Sequence, residues 1–401
     1  MGNTPLGWAA ENGHEGVVEI LLARDDIDFN KSDESGLTPL ILAACNGHEG
    51  VVKMLLARDD VYPNESDEYG QTALCYASEN GHEGVVKMLL GRDDIDPNNP
   101  HDESSTPLLL ATYNGHEGVV RLLLSHDDID PNKPDEGGPT PLLEAVRGGG
   151  CQAVVEMLLK HDGTDPNKPG EDEETPLGLG VQNSNEAVVK MLLGRDDINP
   201  NKPGMYGGTP LLLAARYRKI GFLNMLLGRD DVNPNIPDMV GQTPLFLAAM
   251  NGWEEGVRTL LRRGDVNPDI PDSFGQTALS WAARNGHEWI VETLLGLGDV
   301  DPSNLDDYDR TPLWWAAWNG KVEVVKMLLG RDDVNPSTPD KDGQTPLFCA
   351  AEKGRGEVVE LLLGRDDVNP DKRDNQGQTA LSCAIRNGHT HVIALLELQT
   401  A

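Results

Sequence analysis

Carboxylates crowd three short segments, Asp25-Asp26-Ile27-Asp28, Asp93-Asp94-Ile95-Asp96 and Asp127-Asp128-Ile129-Asp130, and clustered oxygen donors are what a calcium ion takes as ligands. The surrounding pattern does not supply that chemistry. No EF-hand spacing or glycine-rich calcium repeat is present, and Gly163, Gly264 and Gly298 stand at places where other segments carry an aspartate. The carboxylates read as solvated turn residues, and no metal is expected. Histidine offers a second metal-binding set, because His14, His48, His82, His116, His287 and His389 each follow Asn-Gly. They occupy one slot of a repeating unit, however, and neighbouring copies should lie about 10 Å apart, whereas zinc ligands sit at about 2 Å from one ion. They are expected to be structural. The same spacing argues against a disulfide between Cys349 and Cys383, which share a register. No P-loop, Gly-x-Ser-x-Gly elbow or His-Glu-x-x-His is present. No catalytic residue and no cofactor is expected, and the chain does not read as an enzyme.

Charge narrows the partners. The 401 residues include 33 Lys and Arg against 66 Asp and Glu, a formal net charge of −33. Such a chain repels phosphate backbones and anionic lipid, so neither nucleic acid nor membrane is an expected partner. No apolar stretch reaches the ~18 residues of a membrane span, and the start, Met1-Gly2-Asn3-Thr4-Pro5, lacks a basic region followed by an apolar core. Five cysteines, Cys45, Cys75, Cys151, Cys349 and Cys383, form no C-x-x-C pair. Reduced thiols and an intracellular location, cytoplasm or nucleus, follow as the expectation.

The elements that position all these residues repeat. Thr followed by Pro-Leu or Ala-Leu recurs at 4, 38, 72, 106, 140, 175, 209, 243, 277, 311, 345 and 379; ten of the eleven spacings are 34 residues and one is 35. The Thr hydroxyl suits a helix N-cap, and Pro at the first helical position has no N–H to orphan. Asn-Gly ends that helix, as at Asn251-Gly252. A second helix follows, such as Glu83-Gly84-Val85-Val86-Lys87-Met88-Leu89, with apolar residues at helical spacing. A return such as Arg229-Asp230-Asp231-Val232-Asn233-Pro234-Asn235 is too rich in Asp, Asn and Pro for helix, and an Asp-x-x-Gly turn, Asp238 to Gly241, precedes the next Thr. One helix pair cannot bury its own apolar faces, so the units must stack into a single all-α solenoid over 1–401 with short hairpin or turn connections. Gly148-Gly149-Gly150, with Gly178 and Gly180 inside a first helix, mark the expected weak point, each interior glycine costing about 1 kcal/mol relative to alanine.

The pattern D-x-x-G-Q-T-P-L-x-L-A-A-x-N-G-H-E-x-V-V-x-x-L-L resembles the ankyrin repeat over essentially the whole chain. Two features depart from that family: the return carries one residue more than the usual unit of about 33, and the usual Thr-Pro-Leu-His lacks its His, the slot holding Gly7, Ile41, Cys75 and Leu109 in the first four units. The Gly-Arg-Asp-Asp-Val-Asn-Pro returns are similar to those of long arrays from filamentous fungi, which often sit behind an effector domain.

The resemblance implies a protein-binding scaffold whose contacts come from the turn tips and the exposed end of each first helix, on a concave face. Three residues before Thr, four consecutive units carry Tyr206, Val240, Phe274 and Tyr308; seven after Thr the same units carry Arg216, Met250, Arg284 and Trp318; Met239 and Arg310 flank them. This stripe, between about residues 204 and 319, holds the residue types enriched at binding hot spots. Trp281 and Trp315 fall in a core slot, whereas Trp318 and, in the vacant His slot, Trp314 are expected to reach a partner. Phe274, Tyr308, Trp318 and Met250 are the expected apolar anchors, and Arg216, Arg284 and Arg310 the expected cations for acidic groups on it. A packed ladder of tips without a partner is the plainer alternative. A further alternative is self-assembly: the first unit begins at its Thr, without a preceding turn, and the last helix, over 391–398, has no polar tail. Bare ends of that kind would stack into homo-oligomers or filaments, or mark a recognition region cut from a larger protein.

Overall fold

Each Thr does what its hydroxyl allows. In the computed structural model, which describes residues 3–98, 105–134, 138–148 and 152–400, the twelve Thr side chains each accept a hydrogen bond from the backbone N–H three residues on, as in Ile41 to Thr38 at 3.2 Å and Trp314 to Thr311 at 3.0 Å. The first helices are therefore capped without the His missing from each unit. Gly149, Gly150 and Cys151 lie outside the described residues. Among the described residues the fold is twelve helix pairs, from Pro5–Glu11 with Glu15–Leu22 to Ala380–Asn387 with Thr390–Thr400. None of these helices is long and apolar enough to cross a membrane. Two compact units contain them, Met1–Met205 and Tyr206–Ala401.

Within each unit the second helix is amphipathic. In Glu83–Leu89, Val85, Val86 and Leu89 are buried and Lys87 faces water, and each such buried side chain contributes about 1.5–3 kcal/mol. Paired alanines, Ala248-Ala249, Ala282-Ala283, Ala316-Ala317 and Ala350-Ala351, are all buried and let successive first helices approach. The interior Gly180 has a related reason: a Cβ there would meet Val189 Cγ2 at 3.1 Å.

Three ladders then tie successive repeats. The recurrent His donates through Nε2 to the backbone carbonyl seven residues after the Thr of the preceding repeat: His48 to Glu11, His82 to Cys45, His116 to Glu79 and His389 to Glu352, at 2.9–3.0 Å. Arg355 takes the same place, its Nε 3.4 Å from the Trp318 carbonyl. The arginine of the return pairs with the aspartate two residues on and reaches back to the preceding repeat, as Arg263 does to the carbonyls of Leu227 (3.3 Å), Arg229 (3.0 Å) and Val232 (3.2 Å). The Asp-rich returns are thus partly neutralised by their own arginines. Finally, the side-chain amides of Asn30, Asn64, Asn98, Asn132, Asn167 and Asn235 each donate to one peptide group of the next return, as Asn235 Nδ2 does to the Asp265 carbonyl at 2.6 Å and Asn64 Nδ2 to Asp94. Their Oδ1 atoms accept from a second backbone N–H, Asn267 in the case of Asn235.

The connections before each Thr are turns rather than paired strands, and one isolated bridge, Ser66 with Thr72, is the nearest approach to a hairpin among the described residues. The turn is built by its aspartate: Asp238 Oδ1 accepts from the N–H groups of Val240 and Gln242, at 3.0 and 2.9 Å. Gly241 closes it with φ +83°, a backbone region that favours glycine.

Candidate functional site

The turns fix what they display. In the second unit, the N–H following each tip aspartate donates to the carbonyl of the tip before: Met239 to Tyr206, Ser273 to Val240, Asp307 to Phe274 and Lys341 to Tyr308, at 2.9–3.1 Å. Val240, Phe274 and Tyr308 also give their own N–H to the tip aspartate. Both backbone groups of these residues are engaged, and their side chains face solvent. Tyr206, Val240, Phe274 and Tyr308 are between 48% and 65% exposed, and Met239 is exposed beside them.

Behind the tips at Phe274 and Tyr308 lies a layer of indoles and cations. Asp306, its side chain fully buried, accepts from the N–H of Tyr308 (2.9 Å) and of Arg310 (3.0 Å) on Oδ1, and from Arg310 Nε (3.0 Å) and Trp315 Nε1 (3.1 Å) on Oδ2. A desolvated carboxylate needs such a full set of donors. The Arg310 guanidinium lies 4.3 Å from the Tyr308 ring centre and 4.3 Å from that of Trp315. Arg284 lies 4.7 Å from Trp281 and 4.2 Å from Trp315. Trp314 packs edge-on to Trp315 at 5.0 Å and stacks on Trp318 at 5.1 Å, and Lys353 Nζ covers Trp318 at 3.8 Å. Each cation–π contact is worth about 0.5–2 kcal/mol, more as it is desolvated. Burial is the main reason that the Arg284 guanidinium sits below its ordinary pKa; neighbouring Arg310 adds to this and Asp306 opposes it.

The structure brings the expected stripe together and sorts it. Tyr206, Met239, Phe274 and Tyr308 stand outside. Met250 and Trp318 are half-buried. Trp314, expected to reach a partner, is 3% exposed, with its Nε1 bonded to the Gln344 carbonyl at 3.2 Å. Its slot faces the next repeat, as do Ile41, Cys75, Leu143 and Phe246, all buried, so Trp314 is a packing residue. Two expected cations are already met within the chain: Arg216 pairs with Asp238 at 2.7 Å and Arg310 with Asp306. Among the described residues no carboxylate pairs with Arg284. Four members of the layer escaped the sequence reading as parts of this face: Asp306, Lys353, and the two tryptophans that hold Arg284, Trp281 and Trp315. The sequence signal for the last two was the repetition of Trp in one slot of adjacent units. Asp306 looks like every other tip aspartate, and nothing in its own position distinguishes it.

The family model described as ankyrin repeats (3 copies) matches residues 6–101, 94–170, 211–306, 266–338 and 313–400. No curated protein matches the chain.

Proposed function

Because the chain belongs to the ankyrin repeat family, we propose that it binds a partner protein through the stripe of residues 204–319, with Tyr206, Phe274 and Tyr308 as anchors. Ankyrin repeats are protein-interaction modules, and the family is typically non-enzymatic. The observation that carries the finer reading is the run of four consecutive exposed apolar tips whose backbones are tied into one ladder. A backbone fixed before binding loses little entropy on complex formation, which is how a preformed surface gains affinity. Trp318, stacked on the buried Trp314 and covered by Lys353, adds a half-exposed platform next to them. Arg284 supplies the cation, held by two indoles and without a carboxylate partner among the described residues, for one acidic group at the centre of an apolar contact. The remaining surface is acidic, and its long-range attraction for basic partners weakens in salt.

Affinity purification from cells of the source organism tests this, with wild type and a Phe274→Ala/Trp318→Ala double variant at low and high salt. A partner that survives salt and is lost with the variant supports recognition by the stripe. Partners retained by the variant and stripped by salt refute it in favour of general acidic attraction.

A further inference from the structure

A cleft of about 340 Å³ opens on the first compact unit. Its walls are Leu109, Leu110, Tyr113 and Pro139, and among the described residues its acidic lining groups are Glu79 and Glu144, with no Lys or Arg beside them. Three successive first helices contribute: Glu79 from Ala73–Glu79, Leu109, Leu110 and Tyr113 from Pro107–Tyr113, and Glu144 from Pro141–Arg147. The volume is at the small end of the ~300–1,000 Å³ of ligand pockets.

Glu144 is the anomaly. It stands four residues after Thr140, a slot that in the other eleven units holds Trp, Leu, Tyr or Cys. Here a half-buried carboxylate replaces an apolar or aromatic packing residue. The cation nearest to it in sequence, Arg147 on the same helix, is committed to Glu174 at 2.9 Å. Among the described residues neither Glu144 nor Glu79 has an ion pair, although both are partly removed from water. The Glu79 backbone is held in place by His116, 2.9 Å from its carbonyl. A partly desolvated carboxylate without a cation favours one brought from outside. The apolar walls suit an aliphatic stem, and the Tyr113 ring, 73% exposed at the rim, offers a cation–π face.

We infer that this cleft receives the arginine side chain of a partner polypeptide, its stem against Leu109, Leu110 and Pro139 and its guanidinium at Glu144, with Glu79 adding negative charge from the other side of the cleft. Arginine fits better than lysine because its planar fork meets one carboxylate with two parallel N–H groups and stacks on an aromatic ring. The site is separate from the aromatic stripe and stands or falls independently of it.

The test is a titration of the full chain with capped N-acetyl-arginine amide, followed by the methyl resonances of Leu109 and Leu110. N-acetyl-norleucine amide, of similar stem and no charge, is the comparison. The expected result is saturable movement of those methyls by the arginine compound and at least about tenfold weaker binding of norleucine, as charge-assisted hydrogen bonds require. Glu79→Gln/Glu144→Gln weakens the arginine compound by about tenfold. Glu254→Gln/Glu255→Gln, which changes the net charge equally at exposed positions without ion pairs among the described residues, weakens it by less than about twofold. A capped Gly-Gly-Arg-Gly-Gly peptide moves the same methyls. Equal binding of norleucine, or equal loss in the two double variants, overturns the assignment. Entry of the capped amino acid with exclusion of the pentapeptide overturns the polypeptide as its source.

Discussion

Asp269→Asn should stabilise the protein, because Asp269 puts a carboxylate where other repeats carry a donor, an Asn amide in six of them and the hydroxyl of Ser303 or Ser337 in two. At six equivalent positions an Asn donates Nδ2 to a carbonyl in the next return, 30 or 31 residues on. Asp269 keeps half of the arrangement, its Oδ2 accepting from the Asp301 N–H at 3.0 Å. Its Oδ1 is buried without a hydrogen-bond partner, at the place where the other amides donate, which by register is the Asp299 carbonyl. Burial, with the nearby Asp301 and Asp299 charges, raises the pKa of this carboxyl above its ordinary range, the Asp301 N–H opposing. Restoring the amide gains a net hydrogen bond of about 1 kcal/mol and removes an unsatisfied buried acceptor worth about 1–3 kcal/mol, so a gain of about 2 kcal/mol is expected. Six of the seven tryptophans lie between Trp253 and Trp318, so indole emission during urea unfolding reports chiefly on this part of the chain. With a urea slope of about 1–3 kcal/mol per molar, the midpoint should rise by about 1 M. The pH dependence has a definite sign. A raised pKa in the folded state means that the folded chain takes up the proton first, so the wild type gains stability as pH falls through that raised value and loses it as pH rises. The advantage of the Asn variant should therefore be full at neutral pH and shrink on acidification. An unchanged or lower midpoint at pH 7, or an advantage that grows in acid, refutes the reasoning.

Arg263→Ala removes the contacts to Leu227, Arg229 and Val232 and should cost about 1–2 kcal/mol in the same urea assay; a change within error would show that the return arginines are ornamental to stability. Asp265 has the opposite pH sign to Asp269: the Arg263 hydrogen bond lowers its pKa, so what the pair contributes is present above the ordinary carboxylate range and lost as pH falls through the depressed value. Thiol labelling under native conditions should modify half-buried Cys45 before Cys75 and Cys349, which are fully buried. Burial foremost pushes the Cys349 thiol well above its ordinary pKa, and labelling of Cys349 at the rate of Cys45 would contradict its place beside Trp314 and Trp315.

The periodic part of the fold was legible because its causes are local. Thr caps, the Asn-Gly stop and the apolar spacing of the second helix act within a few residues, and the recurrent His could be set aside as structural from its register alone. The candidate face was legible as a set of slots but not as a set of partnerships. Arg216 reaches Asp238 in the next repeat, whereas Asp306, the aspartate in the same relation to Arg284, is taken by Arg310 and Trp315, and that competition is set by side-chain geometry across repeats rather than by the slot of either arginine. Trp314 was misplaced for a different reason. Its slot was judged by the absent His, whereas the residues that fill it elsewhere, Ile41, Leu109, Leu212 and Phe246, are apolar and buried, so comparison across units would have put it inside. The arginine and asparagine ladders of the returns went unread because a composition rich in Asp, Asn and Arg also describes a solvated loop.

The central claim, recognition of a partner by the tips of the second unit, is tested most directly by a photo-crosslinking amino acid placed, in separate variants, at Phe274, at Tyr308 and at Lys87 on the exposed side of a second helix. All three go into the full chain in cells of the source organism. The account predicts one discrete protein adduct from position 274, reproduced from position 308, and none of the same mass from position 87. Adducts of equal yield and identity from positions 274 and 87, or none from 274 and 308, would contradict it.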